Sequence, residues 1–239
     1  MKHKVFTLLL SVIMLTLGVN ITRADDIEDM LNAVLENDVE TVAELLQSKK
    51  IQESIKTTDP NENSIFAYLC QEYSKGENVS LDILRMFIKA GANLNATNKG
   101  YTPLVIAEVF LDERDTRPLI KLLIESGADV NNSGTKGFTP LALAAGNDNS
   151  PDVVKMLIEA GADVNLIDTS TWANYTPLMV AIVSKNAAVE NVRTLIAAGA
   201  DVNAKDAKGR TVLKILKKRD MDKQTKNQLM EILKAAGAK

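Results

Sequence analysis

Apolar positions between residues 139 and 165 fall into two blocks with helical spacing. Leu141, Leu143, Ala144 and Ala145 follow Thr139 and Pro140, and Val153, Val154, Met156, Leu157 and Ile158 form a second block that stops at Gly161. A Thr at this place caps a helix with its hydroxyl, and Pro fits the first helical position, where a missing N–H costs nothing. Gly161 stands where a helix closes on a left-handed residue. The Asp-Val-Asn that follows predicts an extended turn. Each helix of such a pair is apolar on too many sides to fold alone, so neighbouring pairs must stack to bury one core.

The same pattern returns in phase along the chain. Gly-Ala-Asp-Val-Asn occurs at 127–131, 161–165 and 199–203, Gly91-Ala92-Asn93-Leu94-Asn95 is a variant, and Gly237-Ala238 begins a fifth copy. The glycines lie 36, 34, 38 and 38 residues apart. Between them Thr-Pro-Leu recurs at 102–104, 139–141 and 176–178, with Thr211-Val212-Leu213 as a degenerate copy. Two strings recurring together at this period resemble the ankyrin repeat, across about residues 25–239. The resemblance implies an all-α solenoid of stacked helix-turn-helix units with projecting β-turns, serving protein–protein interaction. The family's His after Thr-Pro-Leu, which normally ties neighbouring turns, is replaced by Val105, Ala142, Met179 and Lys214.

On this reading residues 59–95, 96–131, 132–165 and 166–203 are repeats. Residues 25–58 form an N-terminal capping helix pair, and 204–239 a C-terminal capping repeat. From the capping Thr or Ser to the closing Gly the units run 27, 25, 22, 23 and 26 residues. About 21 suffice for a regular repeat, so the loops between paired helices are lengthened. The longest are expected at Glu72–Ser80, Leu111–Pro118 and Lys217–Thr225.

Residues 1–24 read as a secretory signal: Lys2 and Lys4, an apolar run from Val5 to Leu17, then Thr22 and Ala24 before an acidic start. That run is shorter than a membrane span, which needs about 20 residues. The expected protein is exported, to the periplasm or beyond, with no stable membrane insertion. The only histidine, His3, lies in this segment. The remainder therefore lacks Ser–His–Asp and Cys–His catalysis and histidine-containing zinc sites. No glycine-rich phosphate loop follows a strand, and no cofactor is expected. Aromatics make up only 4% of the chain, which argues against a base-stacking nucleic-acid surface.

Several residues carry two readings. Cys70 falls where the family places a small alanine, and reads as a buried small hydrophobe or as a free thiol for an intermolecular disulfide. Asp112, Glu113 and Asp115 lack the spacing of a calcium loop and read as a solvated loop. Residues 25–203 carry net charge −13 and residues 204–239 net +7. The basic end reads as an anion-binding surface or as the solvated outer face of a cap, with Lys217, Lys218, Arg219, Lys223 and Lys226 supplying it.

The residue before each capping Thr or Ser is Asn63, Tyr101, Phe138, Tyr175 or Arg210. The resemblance places this position on a concave face at the base of the turns. Aromatics and Arg anchor interfaces, so these five are candidate partner contacts; the alternative is that the rings brace adjacent turns. Trp172 is either an exposed anchor or folded back onto Tyr175, and Val109 and Phe110 extend the stripe by analogy. The expected protein is a non-catalytic, monomeric binding module whose acidic body favours a basic or mixed-charge protein. Two such roles stand open: an accessory protein that supports a client enzyme, or a secreted effector acting on a host protein.

Overall fold

A computed structural model describes residues 24–58, 63–111, 114–147, 150–170, 174–184 and 189–239. The expected export signal lies outside the described residues, except for Ala24, which opens the first helix. The described residues hold thirteen helices and no strand longer than an isolated bridge. The chain divides into two units, Met1–Gly127 and Ala128–Lys239.

The first unit contains α1 (Ala24–Leu35), α2 (Val39–Leu45), α3 (Lys49–Lys56), α4 (Ile65–Ser74), α5 (Leu81–Lys89), α6 (Pro103–Val109) and α7 (Arg117–Glu125). Residues 25–58 thus hold three helices, not the expected pair. The third arises because Ile51 and Ile55 share one face of α3 and both are buried, drawing an otherwise polar segment onto the core. First helices α4 and α6 pack on each other, and second helices α2, α5 and α7 pack in sequence.

The second unit contains α8 (Pro140–Gly146), α9 (Pro151–Glu159), α10 (Pro177–Val183), α11 (Val189–Ala197), α12 (Val212–Lys218) and α13 (Lys223–Ala235). Here α8, α10 and α12 form one stack of first helices, and α9, α11 and α13 the stack of second helices. Alanines bring the first helices close: Ala142, Ala144, Ala145 and Ala181 are fully buried.

Local chemistry sets the helix ends. The hydroxyls of Thr102, Thr139 and Thr176 accept the N–H of Val105, Ala142 and Met179 at 3.3, 3.3 and 3.4 Å, and Ser64 accepts that of Ala67 at 3.4 Å. Each such cap contributes about 1 kcal/mol. Thr211 departs from the pattern: without a side-chain cap on α12, its hydroxyl donates to the Lys239 carbonyl at 3.1 Å. At the other ends Gly91, Gly127, Gly161, Gly199 and Gly237 all have φ between +87° and +94°, a left-handed geometry that glycine adopts without steric cost.

The loops between paired helices are shorter than expected, because α4 runs on to Ser74, α7 begins at Arg117 and α12 extends to Lys218. Their side chains turn inward to close helix C-termini, whose last carbonyls have no helical partner. Thr116 donates to the Ala107 carbonyl at 2.7 Å and Ser150 to that of Ala144 at 2.9 Å. The buried Asn191 amide, from α11, reaches the carbonyls of Ala144, Ala145 and Asn147 at 3.3, 3.2 and 3.0 Å. Arg114 donates to the Tyr73 carbonyl at 2.6 Å, and Arg219 to those of Ile182 and Ser184.

Candidate functional site

The residues before the capping Thr sit at the base of hairpins whose turns are written in the sequence. In the first unit Asn98 and Tyr101 exchange backbone hydrogen bonds at 2.9 and 3.0 Å across Lys99 and Gly100. Lys99 has φ +53° and Gly100 φ +84°, the two left-handed residues of a type I′ hairpin. Tyr101 is half-buried there. Asn63 is also half-buried, but its side-chain oxygen accepts the Lys99 N–H at 2.8 Å, so it holds the next hairpin in place. At the end of α6, Val109 is 52% exposed while Phe110 is half-buried.

In the second unit Phe138, Tyr175 and Arg210 occupy this place in three consecutive repeats, each half-buried. Arg210 Nη2 donates to the Tyr175 hydroxyl at 3.1 Å and ion-pairs with Asp206 at 2.7 Å. The Asp206 side chain is fully buried and also accepts the backbone N–H groups of Lys208 and Arg210 at 2.9 and 2.8 Å. Burial pushes this carboxyl up. The hydrogen bonds from Arg210 and Lys208 outweigh that and leave it below its ordinary range. The same partnership raises the Arg210 guanidinium. Gly137 lets the neighbouring hairpin approach: a Cβ there would lie 2.4 Å from the Thr169 hydroxyl oxygen, and Thr169 donates its N–H to the Gly137 carbonyl at 3.1 Å. Trp172 lies outside the described residues. The sequence also missed Val183, which ends its first helix as Val109 ends α6, two first helices further on, and is 37% exposed.

Neighbouring repeats of this unit are tied by a ladder that needs no histidine. The side-chain oxygens of Asn131, Asn165 and Asn203 accept the N–H of Asp163, Asp201 and Lys239 at 2.8, 2.8 and 2.9 Å. Their amides donate to the carbonyls of Gly161, Gly199 and Gly237 at 3.3, 3.4 and 3.2 Å. Asp129, Asp163 and Asp201 orient the Asn backbone within each turn at 2.9, 2.8 and 2.8 Å. The recurrence of Asp-Val-Asn was the available signal for this ladder.

The remaining candidates resolve locally. Cys70 is fully buried, and burial pushes its thiol up, away from the reactive thiolate. Of the acidic loop, Asp112 and Glu113 lie outside the described residues, and Asp115 pairs with Arg117 at 3.0 Å. Its Arg114 lies over the Tyr73 ring, 4.6 Å from the centroid. Arg219 and Lys226 of the basic end close helix ends: Lys226 donates to the Lys217 and Arg219 carbonyls at 3.0 and 2.6 Å. Among the described residues no group of three or more His, Cys, Asp and Glu side chains could hold a metal ion, and no helix is long and apolar enough to cross a membrane.

Helix pairs stacked in register, with capped first helices and hairpins leading into them, define a repeat protein of all-α class. Residues 112–206 match the family model described as ankyrin repeats, in three copies. The fold is the ankyrin type, and such repeats are protein-interaction modules. No curated protein matches the chain at a significant level.

Proposed function

We propose that the protein is an exported, non-catalytic module that captures a protein partner on its hairpins and first helices. The observation that carries this reading is the row Phe138, Tyr175 and Arg210. Three interface-anchoring side chains occupy one structural place in consecutive repeats, partly open to solvent, and the hydrogen bond between Arg210 and Tyr175 fixes two of them before any partner arrives. Anchors held in place lose little freedom on binding. Tyr101 and Val109 offer a second contact of the same kind on the first unit. The burial of Cys70 and the absence of histidine after residue 3 support a role without chemistry. The sequence pattern of residues 1–24 supports export.

The test is capture of partners from the native compartment by the chain lacking residues 1–24, compared with F138A, Y175A and Y101A variants. Capture should fall by ~10-fold or more for an anchor residue. Thermal unfolding should show each variant still folded, with the larger stability loss in Y175A because Arg210 loses a partner. Full capture by all three variants would mean that the rings only brace their hairpins.

A further inference from the structure

The net charge of the chain misrepresents the face that meets the partner. In residues 128–239 the hairpins and first helices carry the exposed cations Lys136, Lys205, Lys208, Lys214, Lys217 and Lys218. None of these six has an ion-pair partner among the described residues. The only two carboxylates in these hairpins, Asp168 and Asp206, are buried at 5% and 6% exposure, and α8, α10 and α12 contain no Asp or Glu. Every exposed charge on these hairpins and first helices among the described residues is therefore positive. The exposed carboxylates of the unit lie elsewhere: Asp152, Glu159, Glu190 and Glu231 on second helices, Asp129, Asp163 and Asp201 on the turns that leave them, and Asp220 and Asp222 before α13.

Resting on the function proposed above, we infer that this face is a docking site for an acidic polypeptide segment carrying apolar side chains. This reverses the expectation drawn from the acidic body. Charge acts through local potential, since exposed charges farther apart than about 8 Å are largely screened at physiological salt, and complementary patches govern orientation and encounter. The half-exposed Phe138, Tyr175, Leu143 and Val180, with Val183, supply apolar contacts between the cations. That mixture fits a polypeptide better than a uniform polyanion.

The test uses the chain without residues 1–24 and three dye-labelled probes read by fluorescence anisotropy: a peptide of repeated Glu-Glu-Phe-Glu, its Lys-Lys-Phe-Lys counterpart, and oligothymidylate of matched charge. The acidic peptide should bind at least ~10-fold more tightly than the basic one, more weakly as salt rises, and more tightly than the oligonucleotide. K136E/K205E/K208E should abolish that preference, while D152K/E190K on the second helices should leave it in place. Equal or weaker binding of the acidic peptide, no binding included, overturns the inference, as does control by the second-helix variant. Stronger oligonucleotide binding would replace the polypeptide with a nucleic acid. If K136E/K205E/K208E still captures the native partner fully while F138A and Y175A do not, the charge inference falls and the binding face stands; if none of them loses capture, the face itself falls.

Discussion

Single residues in this protein are often doing a backbone's work. Asp206 is the clearest case: a fully buried carboxylate that holds Lys208, Arg210 and, through Arg210, the Tyr175 ring of the preceding repeat. Because its folded pKa lies below the ordinary 3.8, the stability it contributes is complete above that value and lost as pH falls through the folded value. Urea unfolding across acid pH should therefore show a loss beginning below about pH 4 that is smaller in D206N. An equal acid loss in D206N would place the sensitive group elsewhere. The identity of the residues at the hairpin base was legible from the repeat alone. Their engagement was not, because the bond between Arg210 and Tyr175 spans 35 positions and leaves no local pattern. Asn63 shows the cost of reading position without partners: its place suggests a contact for another protein, yet its oxygen is taken by Lys99.

At the scale of elements, the boundaries that came from backbone chemistry were readable, and those that came from tertiary contact were not. Thr-Pro starts and Gly stops sit where the strings place them, since capping and φ depend on a few adjacent residues. The third N-terminal helix and the inward-turned loops escaped notice because Ile51, Ile55, Arg114, Asn191 and Arg219 act on segments that the local pattern does not specify. The asparagine ladder makes a test at this scale. N165A removes an acceptor for the Asp201 N–H and a donor to the Gly199 carbonyl, and should lower unfolding stability by about 1 kcal/mol by urea titration. N165D retains the acceptor and loses the donor, so its loss should be smaller. Identical stability of all three proteins would show that helix packing, without the ladder, sets the spacing.

For the whole molecule, the legible part was the period and the fold class, and the illegible part was the distribution of charge over faces. A total of −3 says nothing about a unit whose hairpins and first helices expose only cations among the described residues, while its exposed carboxylates lie on the second helices, the turns leaving them and the approach to α13. Far-ultraviolet circular dichroism of the chain without residues 1–24 should show a helical spectrum with no measurable sheet contribution, since the strand-like pairings among the described residues are isolated bridges. The ladder also bears on how such a chain can change length. Each rung in residues 128–239 joins one repeat to the next through recurring groups: an Asn at one edge, and a Gly carbonyl with the N–H two residues on at the other. The connection is the same at all three junctions. A unit duplicated or deleted in frame therefore keeps its joints intact, so a gene of this kind can lengthen or shorten by whole modules without a new joint having to evolve.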